Sequence, residues 1–301
     1  MNRFLFVCLL LLIGESLFAE TVSLTPSADT SLLEAFPGNN FGGQLFFNSG
    51  TTQNYTKNRG LLKFNIAEHI PANAKIKSGT LSFEVTGSTA ETDKDNPSTF
   101  QLRRMLRDWG EGNKSGQPPQ LGAPATTNEA NWTYRFAFTT NTWGIPGGQS
   151  GVDFSTNSSG EDFFYGIDRS PYYIQPNAQM TADLQSWLNQ PSNNFGWMLL
   201  SQSEELNFSA RRFGSREDTN RAPVLTVEYF VPRINQITLV NNSVELQFVA
   251  EAEQSYVVEY QNFPGENWVA LTNFPAVSEP TNFVAKDSLS NTQRFYRLTL
   301  P

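Results

Sequence analysis

Apolar side chains recur at every second position through much of this chain. Leu62, Phe64 and Ile66, then Leu81, Phe83 and Val85, then Leu225, Val227 and Tyr229 each alternate with polar residues. A period of two predicts strands with one buried and one wet face. Gly, Asn, Ser, Thr and Pro gather between these runs, in FPGNNFGG, GSTAETDKDNPS, EGNKSGQPPQLGAP and STNSSG. Such stretches supply the turns of an antiparallel sandwich. The expectation is an all-β chain. The one helical pattern is TADLQSWL, where Leu184, Trp187 and Leu188 share a face, Thr181 is placed to cap the start and Asp183 suits the first turn.

The texture changes near YFVPRINQ, where Pro232 ends a strong strand. Beyond it SVELQFVA, SYVVEYQ, NWVALTN, TNFVAKD and RFYRLTL alternate at short intervals, after a weaker QITLV. This predicts a large sandwich over residues 20–231 and a small immunoglobulin- or fibronectin-like sandwich over 233–301.

The first residues change the chemistry available. Arg3 precedes an apolar run from Phe4 to Ile13 and a small-residue exit at Ala19, the pattern of a signal peptide spanning residues 1–19. The expected product is secreted, whether extracellular, on the cell surface or periplasmic. Cleavage removes Cys8, the only cysteine, and with it disulfides, thiol catalysis and thiolate metal sites. Loss of Arg3 and Glu15 leaves 20 basic (21 minus 1) and 28 acidic (29 minus 1) residues, so the net charge stays at -8. That balance argues against nucleic acid as a partner. No second apolar run is long enough for a transmembrane segment.

Six stretches occur in an order seen elsewhere: SADTSLLEAFPGNNFGG, RGLLKFNIAEHIPANAKIKSGTLSFEV, LRDWGEG, ATTNEANWTYRF with TWGIPGG, TADLQSWLNQPSNNFGWMLL, and RRFGSREDTNRAPVLTVEY. Over residues 21–230 the chain resembles DNRLRE-domain proteins, a family that includes alginate-binding carbohydrate-binding modules. From Asn235 onwards it resembles, more loosely, the small β module that closes many exported bacterial proteins. The resemblance implies a β-jelly roll, found alone or beside polysaccharide lyases, acting as a non-catalytic binder or surface component.

Arginine is where the residues themselves point to chemistry. RRFGSREDTNR holds Arg211, Arg212, Arg216 and Arg221 with Glu217 and Asp218, and QLRRMLRDWG adds Arg103, Arg104 and Arg107. The planar guanidinium matches a carboxylate. In an acidic chain, two such clusters point to an acidic polysaccharide such as alginate, bound by Arg211, Arg212, Arg216, Arg103 and Arg104. The competing expectation is a latch, with arginines paired to carboxylates and Glu217 fixing the turn. Trp143, in TWGIPGG, is expected to be part-exposed and to stack on a pyranose ring, with Trp109, Trp187 and Trp197 in the core.

Other chemistries find less. His69 is the only histidine, at a turn before Pro71, and no nucleophile-and-base motif occurs, so the chain is not read as an enzyme. Glu204 with Glu205, Asp93 with Asp95, and Glu161 with Asp162 are read as solvated loop charge. Asp29 in SADT, or the stretch Thr92 to Asn96, offers part of an oxygen shell for a structural Ca2+. Two other functions fit the same residues: a structural or adhesive component binding a cell-surface or matrix protein, and a polysaccharide lyase.

Overall fold

The alternating runs are strands, and together they make an all-β protein. The computed structural model describes residues 19–88, 97–118, 120–288 and 293–301. The residues read as a signal peptide, up to residue 18 and including Cys8, and the stretch Thr92 to Asn96 with Asp93 and Asp95, lie outside the described residues. Two compact units form, Glu20–Tyr229 and Phe230–Pro301. Among the described residues no helix is long and apolar enough to cross a membrane.

The first unit contains β1 (Glu20–Leu24), β2 (Ala28–Leu33), β3 (Asn39–Asn40), β4 (Phe46–Thr51), β5 (Lys57–Lys63), β6 (Lys75–Phe83), β7 (Val85–Ser88), β8 (Ser98–Met105), β9 (Ala123–Pro124), β10 (Phe154–Phe164), β11 (Tyr172–Ile174), β12 (Trp197–Ser201), β13 (Arg211–Gly214) and β14 (Val224–Phe230). A small sheet runs β1-β14-β6-β11. A large one runs β10-β8-β12-β5-β4-β13-β7, with β2 also on β5. Phe47, Phe164 and Phe213 of the large sheet meet Phe83 of the small sheet in a buried layer, which Phe100 joins through Phe164 and Phe213. Phe213 sits at its centre, with ring centroids of the other four 5.3 to 5.5 Å away. Edge-to-face rings at this spacing contribute beyond their buried area.

The large sheet is covered on its other face too. A Cβ added to Gly60 would meet Phe47 at 2.7 Å, so Gly60 faces the aromatic layer and its neighbour Leu61 faces away. Leu61, Leu32, Met105, Met198 and Phe154 make a second apolar cluster there with Trp109, Ala130, Trp132 and Trp143. The segment from Trp109 to Phe154 is thus a cover whose tryptophans plug the sheet. That overturns the expectation for Trp143, which is 3% exposed and donates its indole N–H to the Asn131 carbonyl at 2.8 Å. Trp109, Trp187 and Trp197 are buried as expected.

The described residues of this unit also form two α-helices, α1 (Ile66–His69) and α2 (Ala178–Asn189). Helix α2 starts earlier than its pattern predicts, because Asn177 and not Thr181 is the cap, accepting the Met180 N–H at 3.0 Å. Asp183 is no first-turn surface charge either. It is fully buried, accepting from Ser159 Oγ at 2.5 Å and Trp197 Nε1 at 3.0 Å.

The described residues of the second unit form six strands: β15 (Gln236–Val240), β16 (Ser243–Ala250), β17 (Tyr256–Gln261), β18 (Val269–Phe274), β19 (Thr281–Ser288) and β20 (Phe295–Thr299). They form sheets β15-β16-β19 and β18-β17-β20 around Leu246, Phe248, Tyr256, Val258, Ala285 and Leu298.

Candidate functional site

Strand β13 decides the fate of two arginines. Phe213 points into the aromatic layer, so Arg211 shares its side of the sheet and Arg212 faces away. Arg211 is 1% exposed. Its Nε donates to the Tyr165 carbonyl at 2.8 Å, and its Nη1 to the carbonyls of Phe208, Ser209 and Ala210 at 3.1 to 3.3 Å. It is a buried clasp, and its expected role as a ligand residue is corrected.

Arg212 lies between Asn48 of β4 and Gly87 of β7. The β13–β7 pairing carries a β-bulge next to this position, and its extra residue, Thr86, is on β7. The Arg212 guanidinium carbon lies 4.0 Å from the ring centroid of Phe46. No carboxylate reaches it among the described residues, and its Nε is buried with no hydrogen-bond partner. Burial alone pulls its pKa below the ordinary arginine value. A buried donor left unpaired costs about 1 to 3 kcal/mol, and more when charged, so such groups are rare without a reason.

Around Arg212 lies a cavity of about 120 Å³, lined by Asn48, Gly87, Ser88, Ala210, Arg211 and Arg212. The Asn48 backbone is fixed by Ser31 Oγ, which accepts its N–H at 2.6 Å, while its side-chain amide has no partner among the described residues. Cavities that enclose a whole small ligand run to roughly 300 Å³ and above. This one fits a single polar group projecting from something larger. A guanidinium and an amide lining that space, with the Phe46 ring against the guanidinium, suit a carboxylate or sulfate group.

The other expected ligand residues do not join it. Arg216 is committed to an acidic cluster, its Nε bonded to Glu111 Oε1 and 3.2 Å from Glu217 Oε1. Arg221 pairs with Asp218 at 2.8 Å. Arg103 and Arg104 sit on β8, separated from β13 by β12, β5 and β4, roughly 19 Å at the usual strand spacing. They also face opposite ways. Arg104 reaches Asp183 at 3.6 Å and Ser186 Oγ at 3.0 Å, and Arg103 bonds the Thr156 carbonyl and Gln101. Arg103 and Arg104 are thus bonded within the fold and do not join the Arg212 cavity.

Asp29 is 1% exposed, and it accepts the Arg216 backbone N–H at 2.7 Å while its own N–H donates to Glu111 Oε1 at 2.8 Å. Oxygens of Asp29, Glu111 and Glu217 all lie within 4.8 Å of one another. Burial holds the carboxyls of Asp29 and Glu111 above the ordinary range, Asp29 the more strongly. The Arg216 guanidinium pairs with Glu111 and Glu217 of this cluster, so a cation already stands beside two of its three carboxylates.

Other acids are also held. Glu204, expected to be solvated, is bound by both Nε and Nη2 of Arg59 at 2.8 and 2.7 Å, and exposed Glu205 meets Lys57 at 2.9 Å. His69 is exposed at the end of α1. A roomier cleft of about 740 Å³ lies between α2 and the start of β6, lined by Lys75, Lys77, Thr181, Gln185 and Asn189 among others. Its central amide, Gln185, is spent on the Ile76 N–H and the Ala74 carbonyl, and no aromatic side chain lines it. No protein-family model and no curated protein sequence matches the chain.

Proposed function

We propose that this is a secreted, non-catalytic protein that binds an acidic polysaccharide such as alginate through Arg212. The Arg212 guanidinium, in the Asn48 and Phe46 corner with its Nε unpartnered among the described residues, carries this reading. The signal-peptide pattern at residues 1–19 and the resemblance of residues 21–230 to DNRLRE-domain proteins support it. So does the pairing of Glu204, Asp218 and Glu111 with arginines, which leaves those carboxylates poorly placed for acid or base work. With a net charge of -8 the protein's field opposes approach of a polyanion, so affinity comes from short-range contacts in the cavity and not from steering.

Calorimetric titration of oligoalginate, with a neutral glucan as control, tests this. Wild type binds the acidic oligomer and not the glucan, affinity falls as salt is added, and no unsaturated sugar product accumulates. Arg212→Ala weakens binding roughly tenfold to a hundredfold, the scale of one charge-assisted hydrogen bond. Equal binding by Arg212→Ala and wild type would refute the site. A complex with a matrix protein but with no acidic glycan would favour the adhesive reading.

A further inference from the structure

Stacking on a sugar was expected of Trp143, which is buried, yet two other aromatic rings are exposed in the loops that follow β4 and precede β13, at the same end of this strand pair. Tyr55 lies in the turn from β4 to β5 and is 66% exposed, and Phe208 lies in the segment from β12 to β13 and is 43% exposed. Both have left-handed backbones, with φ of 60° and 61°. Bulky side chains disfavour that region, and such strain persists only where the surroundings enforce it.

The enforcement is visible. The two loops are joined by Thr51 N–H to Ser209 Oγ at 2.9 Å, Thr51 Oγ1 to the Glu204 carbonyl at 2.7 Å, and Ala210 N–H to the Thr51 carbonyl at 3.0 Å. Gly50, with φ of +101°, lets the backbones approach, since a Cβ there would lie 2.7 Å from Ala210 Cα. The Phe208 carbonyl receives Arg211 Nη1 at 3.2 Å, and Ala210 lines the Arg212 cavity. Phe208 and Arg212 are four residues apart, at most roughly 14 Å along a fully extended chain. The nearby acids, Glu204 and Glu205, are countered by Arg59 and Lys57.

We propose that Tyr55 and Phe208 form the stacking platform of the glycan site, receiving the apolar face of a pyranose ring while a carboxylate or sulfate of the same chain enters the Arg212 cavity. This rests on the reading of Arg212 as an acidic-sugar site. Rings on loops that also carry Thr52, Asn54 and Glu205 match a sugar, whose C–H face is small and rimmed by hydroxyls, better than a protein partner, which needs contiguous apolar area.

Glycine is at ease with positive φ, so Tyr55→Gly and Phe208→Gly remove the ring and relieve the backbone together. In titrations of oligoalginate into the full chain, each weakens binding roughly three- to tenfold while the thermal melts stay close to wild type. Tyr55→Trp retains affinity. Phe138→Gly, which removes an exposed ring at the same kind of backbone in a different hairpin, leaves affinity unchanged. If Arg212→Ala loses binding but the Tyr55 and Phe208 variants bind like wild type, the platform is wrong and the glycan function stands. If Phe138→Gly weakens binding equally, the effect is not that of a local platform. If wild type binds none of alginate, pectin or a sulfated oligosaccharide, both fall.

Discussion

Arg211 and Arg212 are neighbours on one strand with opposite roles: the first gives its guanidinium to four backbone carbonyls, and the second has a buried Nε with no partner among the described residues. Strand alternation alone separates them. Arg211→Ala strips a buried donor from the carbonyls that close the 203–210 segment onto β13 and leaves a cavity, which costs roughly 3 kcal/mol or more. Arg212→Ala removes a group that is itself unsatisfied, so its stability stays within about 1 kcal/mol of wild type. Denaturant unfolding of the two variants is the check, and equal losses would mean that Arg212 is part of the latch.

Part of this contrast was legible in the sequence. Arg211 has the parity of Phe213, and a strand that buries Phe213 must turn Arg211 the same way. The strands themselves were legible for the same reason, as β14 and β16 show with every second residue buried. Trp143 was not, because TWGIPGG has the composition of a rim loop and only the three-dimensional path makes it a cover. Glu111 was missed as the partner of Arg216 because 105 residues separate them. Tyr55 and Phe208 carry no compositional mark, since nothing in their neighbourhoods spells positive φ for an aromatic residue.

Gly87 offers a second test of the cavity. It stands opposite Arg212 on β7, and a Cβ there would lie 3.4 Å from Arg212 Cβ and 3.6 Å from Nε, an ordinary contact. A larger side chain at Gly87 therefore fits the strand but fills the space before the guanidinium. Gly87→Val should keep the melt at or above wild type, because a β-branched residue suits a strand better than glycine. Oligoalginate affinity should fall at least as far as in Arg212→Ala. A variant that binds normally would show that ligand does not enter from the Gly87 side.

The Asp29 cluster predicts a pH dependence opposite in sign to that of a salt-bridged carboxylate. Burial raises the pKa of Asp29 and Glu111 in the folded protein, so between the unfolded and folded values the native state binds more protons than the unfolded one. Stability from these groups is then greatest at low pH and is lost as pH rises from about 4, the ordinary carboxylate value, through the raised folded values. Asp29→Asn keeps an oxygen to accept the Arg216 N–H and removes the buried charge. Its melting temperature should vary less with pH than that of wild type, and at neutral pH it should equal or exceed it. Because Arg216 already supplies a positive charge beside two of the three carboxylates, neither Ca2+ nor EDTA should move the wild-type melt. A calcium-dependent rise that disappears in Asp29→Asn would mean instead that an ion displaces Arg216 from the cluster.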